Sequence, residues 1–197
     1  MKKLILSVLF AFFICTCVHA SASPLIDSQA NSIHAAINSG NFAQVNAIAA
    51  ANPGAQGEIA MFLLSQAQAK ITSNPALAAK IFATATPFVA QIPDNQTQSA
   101  ATIIASIVAS ASSPAFQKSN PGAASDIFTA ALNMSSQPNI LAVNSGLHAK
   151  VLVDANSFVS ANPDGAGKLL KDTVSLAQTP GTMPTINTIG AFAPSAQ

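Results

Sequence analysis

Histidine is the side chain whose ordinary pKa lets it exchange protons near neutrality, and this chain carries three: His19, His34 and His148. His148 falls in a helical pattern, on one face with Leu141, Leu152 and Ala155 and one turn after Asn144. There it can act as a general base or a ligand, oriented by Asn144 or by Asp154. The competing reading is a histidine at the edge of a core stripe, bonded to a neighbour. His34 follows Ile33 on the first helical stretch and poses the same alternative. No two histidines stand in HxxxH or HExxH spacing, so no metal site is expected.

The carboxylates are scattered: Asp27, Glu58, Asp94, Asp126, Asp154, Asp164 and Asp172. Several stand near expected helix starts, where a negative charge meets the positive end of the helix dipole. Lys150 with Asp154, and Lys168 with Asp172, are one turn apart and read as surface pairs of about 0.2–0.5 kcal/mol. A two-carboxylate hydrolase would need the fold to bring two of these acids together, and their spacing gives no sign of it. No GxSxG elbow, phosphate-cradling glycine loop or dinucleotide fingerprint is present, so no cofactor is expected. Asn95-Gln96-Thr97 and Asn133-Met134-Ser135 are glycosylation sequons.

Composition narrows the partners. Only 8% of residues are charged, Arg is absent, and Trp and Tyr are absent too. Without a basic cluster the chain has little to offer nucleic-acid phosphates or an anionic membrane surface. Neutral Ser, Thr, Asn and Gln must supply the solubility that charge usually supplies.

The first residues read as an export signal. Lys2 and Lys3 precede the uncharged apolar run Leu4 to Val18, and cleavage fits after Ala20 or after Ala22. Both cysteines, Cys15 and Cys17, lie in that run, so residues 21 onward can form no disulfide or thiol site. Loss of the two lysines moves the formal charge from +1 to −1. Such a chain suits the periplasm or the extracellular space, with no stable membrane insertion once the signal is removed.

The elements that position these groups are all helical by pattern. Apolar residues recur at three- and four-residue intervals from Leu25 to Ala177, and no alternating strand pattern interrupts them. About eight helices are expected. The first carries Leu25/Ile26, Ala30, Ile33 and Ile37, and the second Phe42, Val45 and Ile48/Ala49. A fourth is expected to kink or stop at Pro87. Asp94 or Thr97 can cap the fifth, Ser112 to Ser119 reads as a loop, and one long helix spans Asn139 to Val159. Four Asn-Pro pairs, at Asn52, Asn74, Asn120 and Asn162, read as helix starts, with Asn as cap and Pro in the first turn. Phe42, Phe62, Phe82, Phe128 and Phe158 are the expected bulky anchors among many alanines.

The chain therefore reads as a signal (residues 1–20), an all-α Ala-rich domain (24–178) and a Pro/Gly/Thr-rich tail (179–197) with an apolar island at Ile186 to Phe192. The spacing of the Asn-Pro pairs fits either helical-hairpin repeats stacked as a solenoid or a compact orthogonal bundle. The function expected first is non-catalytic binding of a protein or a cell-envelope component, with no nucleic acid. A self-associating surface protein is the alternative, and an enzyme centred on His148 is the third.

Overall fold

The computed structural model describes residues 27–177, and among them the regular structure is all helix, without strands. The signal, Leu25/Ile26 and the 179–197 segment lie outside the described residues. Ten α-helices follow one another: α1 Asp27–Asn38, α2 Phe42–Ala51, α3 Gln56–Lys70, α4 Pro75–Ala85, α5 Asp94–Ala111, α6 Pro114–Ser119, α7 Pro121–Ser135, α8 Pro138–Val143, α9 Ser145–Ala161 and α10 Lys168–Ala177. A 3-10 turn at Pro53–Ala55 leads into α3, and a 3-10 helix at Thr86–Gln91 continues α4 past Pro87.

Of the two arrangements open to the sequence, the bundle is the one present. A solenoid confines each repeat to its sequence neighbours. Here α7 packs against α4, α5, α9 and α10 as well as its neighbours α6 and α8. Ten of its 15 residues are buried, on every side of the helix, which marks a central rather than a surface helix. Three of its four alanines, Ala124, Ala130 and Ala131, are buried and let neighbouring axes come close. Phe128 of α7 meets Phe158 of α9 with ring centroids 5.4 Å apart and planes tilted by 36°, within the separation at which aromatic pairs attract. Phe82, Phe128 and Phe158 are fully buried, whereas Phe42 and Phe62 are only partly covered.

Most helix junctions turn on one asparagine. Asn52, Asn74, Asn120, Asn144 and Asn162 share a backbone conformation, φ from −149 to −129 and ψ from 54 to 76. Each backbone N–H closes the preceding helix and each carbonyl receives the first bond of the element that follows, a helix or, at Asn162, a turn: Asn74 donates to the Lys70 carbonyl at 2.8 Å and accepts from Ala78 at 2.9 Å. The Asn-Pro pair thus closes one helix as well as starting the next element. Side-chain capping, expected at all four pairs, occurs only at Asn74, whose Oδ1 accepts from the Leu77 N–H at 3.2 Å. Asn52 and Asn162 point their amides backwards and donate to the Ile48 and Phe158 carbonyls, satisfying the C-terminal end of the earlier helix instead.

Four further expectations are corrected. Ser112 to Ser119 contains α6, because Ser113 Oγ accepts from the Phe116 N–H and Pro114 fits the first turn. The long helix from Asn139 is divided at Asn144 into α8 and α9, and the break leaves Val143 38% exposed rather than inward. Neither Asp94 nor Thr97 caps α5: Pro93 precedes it, and the buried Thr97 hydroxyl donates to the Pro93 carbonyl. Pro163 opens a turn rather than a helix. The chain there lies against the start of α7, where the Gly167 N–H donates to Ser125 Oγ at 2.8 Å and a Cβ on Gly165 would stand 2.7 Å from Pro121. Helix α10 begins only after that contact, with Leu170 inward and Leu169 outward.

Hydroxyls inside helices are held by their own backbone. Ser32, Ser65, Thr84, Thr102, Ser110, Ser157, Ser160 and Thr173 each donate to the carbonyl four residues earlier. This back-bonding makes a Ser/Thr-rich surface compatible with helix. It also leaves those hydroxyls mainly as acceptors toward solvent.

Candidate functional site

His148 lies on the face of α9 that meets α7. Its ring Nδ1 is 3.0 Å from Ser135 Oγ, at the last residue of α7. Ser135 has no exposed surface, and its Oγ is also 3.3 Å from the Leu132 carbonyl. One hydroxyl proton serves both bonds if Nδ1–H donates to Oγ and the hydroxyl donates to Leu132. That assignment follows from donor counting and leaves Nε2 as an acceptor. Half-burial disfavours the imidazolium and pulls the His148 pKa below its ordinary 6.5.

The two groups expected to orient His148 do other work. Asn144 forms the junction between α8 and α9 through its backbone. Asp154 points toward the end of α5, accepting from Ser112 Oγ at 3.0 Å and from Lys150 Nζ at 2.6 Å. Ser135 and His148 have the spacing of a nucleophile and its base, but a substrate atom could reach that oxygen only if α7 moved. The pair ties two helices together. His34 stands on the outer face of α1, with Nδ1 3.2 Å from Asn38 Nδ2.

A different place gathers accessible polar groups. An open cavity of about 380 Å³ runs between α1 and α2, lined by Ser28, Gln29, Ser32, Gln44, Ala47, Ile48, Ala51 and Asn52. None of these residues is charged. Gln29 Nε2 donates to Asn52 Oδ1 at 2.5 Å, and Asn52 Nδ2 donates to the Ile48 carbonyl at 2.7 Å. The two bonds fix which end of each amide is oxygen and which is nitrogen. Asn41 Nδ2 holds Gln44 Oε1 at 3.3 Å at the other end of α2. Ala47, Ile48 and Ala51 supply its apolar lining, and Ser28, Gln29, Ser32, Gln44 and Asn52 supply amides and hydroxyls.

This groove escaped sequence reasoning. Gln29 and Asn52 are far apart in the chain, and Asn52 carried a helix-start signal that concealed its side-chain role. Ser135 was visible only as the third residue of a sequon. In the folded chain it is buried and Asn133 Nδ2 donates to the Thr129 carbonyl, so that sequon is closed. Thr97 of the other sequon is 2% exposed.

Among the described residues no group of three His, Cys, Asp or Glu side chains could hold a metal ion, and no helix is long and apolar enough to cross a membrane. Compared with family models, curated proteins and solved structures, the chain has no match.

Proposed function

We propose that this is an exported, non-catalytic helical protein that binds a protein or a cell-envelope component through the α1–α2 groove. One observation carries the reading: the distribution of unengaged hydrogen-bonding groups. The Ser135–His148 pair turns its nucleophile inward, whereas the groove presents hydrogen-bonded amides beside a small apolar patch. An enzyme centred on His148 would have only Nε2 to work with.

The test is site-specific photocrosslinking in the cell that makes the protein. A photoreactive residue at Gln44 should give a discrete adduct, and one at Lys118, on the short helix α6, should not. Equal adducts from both positions, or none from Gln44, would count against the groove. Export is checked by N-terminal sequencing of the exported protein, which should begin at Ser21 or Ser23.

Self-association is a second reading, favoured by the apolar side chains left outward on α8, α9 and α10: Leu141, Val143, Leu169 and above all Val153, 63% exposed. Sedimentation over a rising concentration series separates the two. A strict monomer at high concentration argues against self-assembly.

A further inference from the structure

We propose that the α1–α2 groove holds its partner as an uncharged stretch of polypeptide, gripped through main-chain amides. This rests on the binding reading above and names the chemistry of the ligand. Each peptide unit offers one N–H donor and one carbonyl acceptor, and the groove answers with the same pair. After its bond to Asn52, Gln29 keeps one N–H and its Oε1; after its bond to the Ile48 carbonyl, Asn52 keeps one N–H. Gln44, held at Oε1 by Asn41, keeps its amide donors.

These groups are oriented before any ligand arrives, because the Gln29–Asn52–Ile48 chain fixes two of the amides. Pre-orientation removes part of the ordering cost that a free surface amide would impose on binding. Between them lie Ala47, Ile48 and Ala51, room for small apolar side chains.

The charge pattern selects further. With no charged residue in the lining, an Asp, Glu, Lys or Arg at the centre of the ligand would meet no counter-ion, so the lining gives a charged centre no electrostatic gain. A glycan would share the neutrality and some of the hydrogen bonds. Its ring faces, however, want a flat aromatic side chain, and the groove has none.

The test follows the side-chain NH₂ resonances of the isotope-labelled exported chain by NMR. Four probes are added in turn: acetyl-trialanine methylamide, the same peptide with Glu at its centre, the same peptide with Lys at its centre, and the trimer of N-acetylglucosamine. The neutral peptide should shift the Gln29, Gln44 and Asn52 amides saturably, and each charged peptide should bind more weakly. Gln29→Met keeps the bulk and removes the amide, and should weaken the neutral peptide about fivefold, the worth of one hydrogen bond. Asn52→Ala is avoided because Asn52 also joins two elements of the fold.

Three results would overturn the assignment: no saturable shift at millimolar neutral peptide, equal response to charged peptides, or stronger shifts with the glycan trimer. If Gln44 still crosslinks to a partner in the cell while the peptide does nothing, the groove stands as a contact face and the polypeptide assignment alone is lost.

Discussion

Helix α7 and the α1–α2 hairpin are made from the same few residue types and do opposite things with them. In α7, Ser125, Thr129 and Ser135 are buried, and each finds a partner within the fold: Gly167, the Ser125 carbonyl, and His148. In the hairpin, Ser28, Gln29, Gln44 and Asn52 ring an open groove and keep donors and acceptors toward solvent. Helix α7 touches elements on all sides, whereas α1 makes its main contacts with α2 alone. In a chain with so little charge, position decides whether a neutral polar side chain supports the core or is left for a ligand.

The sharpest way to separate the two regions is to cut a cavity in each. Phe128→Ala removes a ring buried between α7 and α9 and should cost about 3–5 kcal/mol in a denaturant melt. Amide exchange should accelerate throughout the described residues. Ile37→Ala in α1 should cost about 2–5 kcal/mol at a fully buried site, but its faster exchange should concentrate in α1 and α2, a unit able to open separately. If Ile37→Ala loosened α7 as much as α1, the hairpin would be part of the same cooperative body and the contrast would fail.

A second probe asks how tightly the body around α7 is closed. A Cβ on Gly57 would stand 2.1 Å from the Gln91 carbonyl oxygen, backbone that cannot step aside. Gly57→Ala should therefore cost about 1–3 kcal/mol. Gly54→Ala, with nothing within 4 Å of the added carbon, should be near neutral. Both are read as melting temperatures. Equal shifts would mean that the 3-10 helix at Thr86–Gln91 yields more readily than its contacts imply.

Much of the fold was legible in the sequence, because three- and four-residue periodicity needs only burial on one side. Ile33, Ile37, Val45, Ile59, Ile104, Ile127 and Val151 were readable as inward and are. The long Asn139–Val159 stretch misled for the same reason: its periodicity continues across Asn144, and only the backbone shows the break. The groove was not legible, since a side-chain bond between Gln29 and Asn52 depends on how two helices meet. The Asn-Pro pairs fell between these cases, readable as boundaries but not as caps. Asn74→Ala should cost about 1 kcal/mol, the worth of a cap. Asn120→Ala should cost less, because Asn120 makes no side-chain cap bond. Asn41→Ala, removing the cap of α2, should resemble Asn74→Ala in size but loosen only the hairpin. A matched pair of urea melts with amide exchange distinguishes them.

The smallest expected effect is a pH dependence, and it again divides centre from edge. Burial lowers the His148 pKa below 6.5, so the unfolded chain binds that proton more readily than the folded one. Stability from this source is complete above pH 6.5 and declines as pH falls toward the folded pKa. Asp126, on the outward edge of α7, acts with the opposite sign. Its side chain is exposed overall, yet shielding of its carboxyl raises the pKa above 3.8 against an opposing pull from Lys80. The folded state therefore holds the Asp126 proton longer, and stability declines as pH rises from 3.8 through that raised value. His148→Gln should flatten the decline on the acid side of 6.5, and Asp126→Asn should flatten the one that starts at 3.8. Both changes should be seen in melts across pH 3 to 8. The His148 bond joins α7 to α9 and not to the hairpin, so amide exchange in α9 should quicken on acidification through this window while α1 and α2 stay protected. Acid loosening of the hairpin ahead of α9 would mean that His148 reports on a wider network than its single bond to Ser135.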